Sequence, residues 1–166
     1  MRPQPRSNGL ARSAMLAAAT ALLLISRITM AQECPLTAPL VLKDLQGGFV
    51  GQTGTVWTIA PDCSFTVARQ IGAKVGDPHK QGHLTAEQQQ RLAALIGHTD
   101  LAGFPDRLGG APQPNARQIT ISYGRTGSTV TLPPGGDADA LQAASSDPRA
   151  SQILELMRAL DDMTGR

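Results

Sequence analysis

Residues 40–69, LVLKDLQGGFVGQTGTVWTIAPDCSFTVAR, bring together turn glycines, alternating apolar residues, the single tryptophan and a cysteine. Val56, Thr58 and Ala60 alternate with Trp57, Ile59 and Pro61, and Phe65, Val67 and Ala68 follow a turn at Asp62-Cys63. A period near two specifies strands, and a three-stranded antiparallel meander is the economical arrangement. Gly47, Gly48, Gly51 and Gly54 are too dense for strand interiors. They suit a loop or bulge, or a place where a second backbone comes close. Phe49 stands among them, either as a plug for the far end of the sheet or as a residue shown to a partner. The residues alone favour the plug, because an aromatic at a strand end usually enters the core.

Working outward, strands are expected at 40–45, 55–60 and 64–71, followed by a polar, glycine-broken connection at 72–84 (GAKVGDPHKQGHL). Thr85 and Gln88 have the spacing of a capping box, so a helix starts there. Leu92, Leu95 and Ile96 form its narrow apolar face, and Gly97 is expected to end it. Residues 98–116 read as a long loop carrying Phe104-Pro105 and a glycine-proline run. Ile119, Ile121 and Tyr123 then alternate with polar residues, and a turn at 124–127 leads into 128–132, which makes a hairpin with one apolar face. Pro133 to Gly136 break the strand pattern, and 137–145 is expected to form a helical turn or two. Asp147-Pro148 is an N-cap followed by proline at the first helical position. Ile153, Leu156, Met157 and Leu160 then recur at helical spacing.

The expected architecture is α+β, with one antiparallel sheet of about five strands, two helices packed on one face and the order βββαββα. Its core is expected to hold Leu42, Val56 or Trp57, Ile59, Phe65, Val67, Leu92, Leu95, Ile96, Ile119, Ile121, Leu132, Ile153, Leu156 and Leu160. The domains are a signal peptide at 1–31, an N-terminal tether at 32–39 and a single α+β domain at 40–163.

The leader follows from charge and length. Arg2, Arg6 and Arg12 precede an apolar run at 14–25, too short to span a bilayer but suited to a signal h-region. Thr29-Met30-Ala31 places small residues at the recognition positions, so cleavage is expected near Ala31. Gln32-Glu33 before Cys34 argues against lipidation. Four of the fifteen Lys and Arg residues leave with this leader while all thirteen acids stay, so the mature chain carries about −2. That balance and the few aromatics exclude nucleic acid as a partner. With no other apolar run of spanning length, the mature chain is not an integral membrane protein; it is expected to be periplasmic or secreted, and a monomer. In such a compartment Cys34 and Cys63 are expected to pair, pinning the N-terminal end to the sheet.

Chemistry finds little support. No Gly-x-Ser-x-Gly elbow occurs, and the three histidines have no clear serine partner. Asp161-Asp162 are adjacent on a helix and point apart. Asp77, His79 and His83 form the only ligand-like cluster, and their spacing fits no rigid element. They read as water-facing, with no metal and no cofactor assigned. His98 suits a helix C-terminus. The chain is therefore not read as an enzyme. The glycine loops at 47–54 and 104–114 are where recognition would sit.

The succession Gly47-Gly48-Phe49-Val50-Gly51, the Trp57 strand, the helix at 85–96 leading to Phe104-Pro105, the hairpin and the closing helix resembles the emfourin family. These are small protein inhibitors of thermolysin-like, protealysin-type zinc metallopeptidases, and the resemblance spans about 40–160. It implies an exported binding protein without catalysis, its partner a secreted metallopeptidase. Gly47, Gly48, Phe49, Val50 and Gly51 would be the contact element, laying backbone across a cleft while the ring fills an apolar pocket. The alternatives are an envelope metal-handling protein using Asp77, His79 and His83, or a structural or interaction protein of the envelope.

Overall fold

In the computed structural model, which describes residues 34–109, 113–132 and 147–165, the alternation in 40–69 becomes three consecutive antiparallel strands: β1 (Leu40–Gln46), β2 (Thr53–Ile59) and β3 (Ser64–Ile71). The leader, its cleavage point and the helical turns expected after 136 lie outside the described residues. Next come β4 (Lys74–His83), α1 (Ala86–His98), a 3-10 turn (Leu101–Gly103), β5 (Arg107–Gly109), β6 (Arg117–Tyr123), β7 (Thr126–Leu132) and α2 (Pro148–Thr164).

Strand number and order correct the expectation. The fold is α+β, but the sheet has seven strands in the order β4-β3-β2-β1-β6-β7-β5, and the chain order among the described residues is ββββαβββα. The sheet is also mixed, because β5 lies parallel to β7. The polar segment expected to be a connection is the ten-residue β4, hydrogen-bonded along β3. It has no apolar alternation because it is an edge strand exposed over most of its length. Lysines, a proline and irregular register are how such edges avoid pairing with other chains, and β4 carries Lys74, Pro78 and Lys80 with a register shift opposite Ala68. The long loop likewise conceals β5, three residues of which only Leu108 is buried; so short a strand carries no readable period.

Pairing register defines two faces. Leu42 stands opposite Trp57 on one side and Ile121 on the other, Trp57 stands opposite Val67, and Leu40 stands opposite Ile59. These residues join Leu92 of α1 and Ile153, Leu156 and Leu160 of α2 in one buried cluster. Val56 points to the opposite face by alternation and is also buried, so both members of the expected "Val56 or Trp57" choice are inside, in different layers. Phe65, Leu95 and Ile96 pack against the cluster from its margin.

Gly54 lies inside β2, where a Cβ would fall 1.9 Å from the Asp44 carbonyl oxygen of β1. It therefore belongs to the strand, with the close backbone approach that glycine alone permits.

Both helix starts follow their local chemistry. The Thr85 side chain accepts from the Gln88 N–H and the Gln88 side chain accepts from the Thr85 N–H, closing the capping box. The helix runs through Gly97 to His98, and Thr99 is the C-cap, its N–H donating to the Ile96 carbonyl. Termination falls there rather than at Gly97, which stays helical. Asp147 caps α2 ahead of Pro148. Its carboxyl is held below the ordinary value of 3.8, first by the Arg149 side chain and then by the Arg149 N–H. A depressed carboxylate contributes stability above its unfolded pKa and loses it as pH falls through the lowered value. The first turn of α2 is thus expected to stay intact through mildly acid pH and to fray only below the ordinary carboxylate range. A carbon-13 titration of Asp147 checks this; a midpoint at or above that of a model aspartate contradicts it.

Candidate functional site

The connection between β1 and β2 is built as a tight turn. The Gly51 N–H donates to the Gly48 carbonyl at 3.0 Å, which places Phe49 and Val50 at the two corner positions. Gly51 has a φ of +89°, outside the range comfortable for a side-chain-bearing residue. With the backbone turning this sharply, the Phe49 ring meets no core. Its fractional exposure is 106%, and the plug expected from its position is corrected: Phe49 faces solvent.

Neighbouring backbone braces the turn. The Gly47 N–H donates to the Ala116 carbonyl at 3.0 Å, and the Gly72 N–H donates to the Gln52 carbonyl at 2.7 Å. The Gln46 amide donates to the Asn115 carbonyl, and the Gln52 amide donates to Gln118 Oε1 at 2.7 Å. These bonds draw the β1–β2 turn, the β3–β4 turn and the segment entering β6 to one end of the sheet. The first glycine loop therefore meets Asn115 and Ala116, the two residues just after the second loop at 104–114, at this end of the sheet.

Four large apolar side chains stand exposed among the described residues: Phe49, Val50, Ile71 and Val75. The first two form the β1–β2 turn and the other two flank the β3–β4 turn, so all four occupy this same rim. Scattered exposed apolar residues need no explanation; here Phe49 and Val50 stand side by side at the tip of one turn, while Ile71, paired with Lys74, and Val75, paired with Gln70, point to opposite faces of the neighbouring hairpin. Ile71 and Val75 escaped the sequence reading because Ile71 looks like the last core residue of β3 and Val75 lies in the undetected β4. The signal that would have found them is their position beside Gly72-Ala73, a two-residue hairpin turn.

The other singled-out residues do not gather. Asp77, His79 and His83 lie along β4 instead of in a flexible connection, and four residues of extended chain set the His79 and His83 backbones about 13 Å apart. Among the described residues, no group of three His, Cys, Asp or Glu side chains is arranged to hold a metal ion. His98 closes α1. Asp162 pairs with Arg91 at 3.4 Å while Asp161 lines a cleft under α2, so the adjacent acids do point apart.

Cys34 and Cys63 form a disulfide. Nearby, the Tyr123 hydroxyl accepts from the Thr37 N–H at 3.0 Å and shares a 2.8 Å hydrogen bond with the Thr37 hydroxyl. Of the described part of the segment expected to be a tether, Leu36 is buried in the core and Cys34 packs against it, while Thr37 and Pro39 are exposed. No helix among the described residues is long and apolar enough to cross a membrane.

No model of a known protein family matches the chain, and no curated protein sequence is similar to it.

Proposed function

We propose that the chain is an exported binding domain that inhibits a thermolysin-type zinc metallopeptidase and performs no catalysis of its own. The observation that carries this reading is the full exposure of Phe49 at the corner of a hydrogen-bonded turn, in company with Val50, Ile71 and Val75. A large ring held in water by a braced backbone loses little conformational freedom on docking, which is the economy of a preorganised binding element. Gly47, Gly48 and Gly51 leave the turn slim enough to enter a cleft, with Phe49 and Val50 at its tip. The resemblance to emfourins supplies the class of partner, and the disulfide accords with a periplasmic or secreted location.

The test is titration of a thermolysin-type peptidase with the protein and with Phe49→Ala. An aromatic anchor at an interface centre contributes about 2 kcal/mol or more, so Phe49→Ala is expected to weaken inhibition about 30-fold or more. The thermal midpoint should stay unchanged, because the ring touches no core. Absence of inhibition at micromolar protein removes the peptidase. Equal inhibition by parent and Phe49→Ala removes the rim.

A further inference from the structure

The helix-covered face of the sheet is not covered completely. Between the last turns of α2 and strands β1 to β4 and β6 lies a cleft of about 430 Å³, within the range of small-ligand pockets. Its apolar surface comes from Trp57, Val67 and Met157. Its polar walls carry three fixed cations, Lys80, Arg117 and Arg158, against two carboxylates, Asp44 and Asp161. Arg117 is engaged by Asp44 through two 2.7 Å hydrogen bonds. Lys80 differs: its Nζ donates to the Gly165 carbonyl at 2.8 Å and forms no ion pair with a carboxylate among the described residues, leaving two further N–H donors to place.

We infer that this cleft is a second binding site, separate from the Phe49 rim, and that it takes a small amphiphilic anion, its apolar body against Trp57 and Met157 and its charged group on Lys80. The sign follows from the excess of fixed cations and the amphiphilic shape from the apolar floor beside them. Both elements are held by the fold, since Trp57 is 95% buried in the sheet and Lys80 is tethered to the end of α2. A charged group entering the cleft gains a charge-assisted hydrogen bond in a partly dehydrated setting, where such bonds are strongest.

Trp57 is the chain's only tryptophan, so its emission reads occupancy of the cleft directly. The experiment titrates the full mature chain with octanoate and, separately, with octylammonium. Octanoate is expected to change Trp57 emission saturably at about 1 mM or below, with no saturable change from octylammonium. Lys80→Met should weaken octanoate about tenfold or more, with Lys80→Gln replacing it if that variant does not fold. Thr55→Tyr, which fills the cleft from a half-buried floor position and leaves the charges in place, should abolish the response. No saturable response to octanoate, an equal response to octylammonium, or unchanged affinity in either variant overturns the inference. Peptidase inhibition is measured alongside; its loss or retention bears on the rim alone.

Discussion

Gly54→Val is expected to destabilise the domain by about 4 kcal/mol or more, a large part of the roughly 5–15 kcal/mol that holds a domain folded. The cause is steric and lies in the backbone. A Cβ at position 54 would stand 1.9 Å from the Asp44 carbonyl oxygen and 2.9 Å from both the Asp44 carbonyl carbon and Leu45 Cα. No rotamer relieves this, since all three atoms are main chain. Gly54 pairs with Leu45 of β1 and Gln70 of β3, so displacing it disturbs both ladders in the middle of the sheet. Chemical denaturation of the parent and variant measures the effect. A loss below about 1 kcal/mol means that β1 and β2 do not approach as described.

The second large effect is loss of the disulfide. Cys34 and Cys63 are 29 residues apart, and closing a loop of that size restricts the unfolded chain by roughly 3 to 4 kcal/mol in the chain-entropy model. Cys34→Ser with Cys63→Ser is therefore expected to lower stability by about that amount, and reductant should do the same to the parent. The remaining anchors of this segment are the buried Leu36 and the Thr37 bonds to Tyr123. They hold it only once the sheet has formed, whereas the disulfide acts on the unfolded ensemble. Comparing midpoints of oxidised and reduced protein decides the matter, and coincident transitions would show that the bond contributes nothing. Because the Phe49 turn lies on connections other than the Cys63 turn, the proposed inhibition by the folded fraction should survive reduction. That separates stability from recognition.

Particular residues show where the sequence was legible. Thr85 with Gln88, and Asp147 with Pro148, announce helix starts because capping is satisfied within one turn of chain. Trp57, Ile59, Phe65 and Val67 announce strands because each inward residue has an apolar layer to enter. Lys74 to His83 announces nothing, since an edge strand has partners on one side only and its composition serves to repel further ones. Leu108 is a lone buried residue in a three-residue strand, too brief for any period. Those two strands are the difference between five and seven.

The candidate site divides in the same way. Gly47 to Gly51 stood out as a turn from their residue types. Whether Phe49 pointed inward or outward depended on what stood beside it, and that was decided by Gly72, Asn115 and Ala116, which arrive from remote parts of the chain. The cleft beneath α2 was equally illegible, since Trp57, Lys80 and Met157 meet only because three separate elements pack together. Alternation, capping and glycine density are written in neighbouring residues, so the amino-acid order settled the meander, both helices and the cysteine pair. Exposure and enclosure are properties of surfaces distant in sequence, so the outward ring, the edge strand and the cleft took shape only when the sheet closed against its helices.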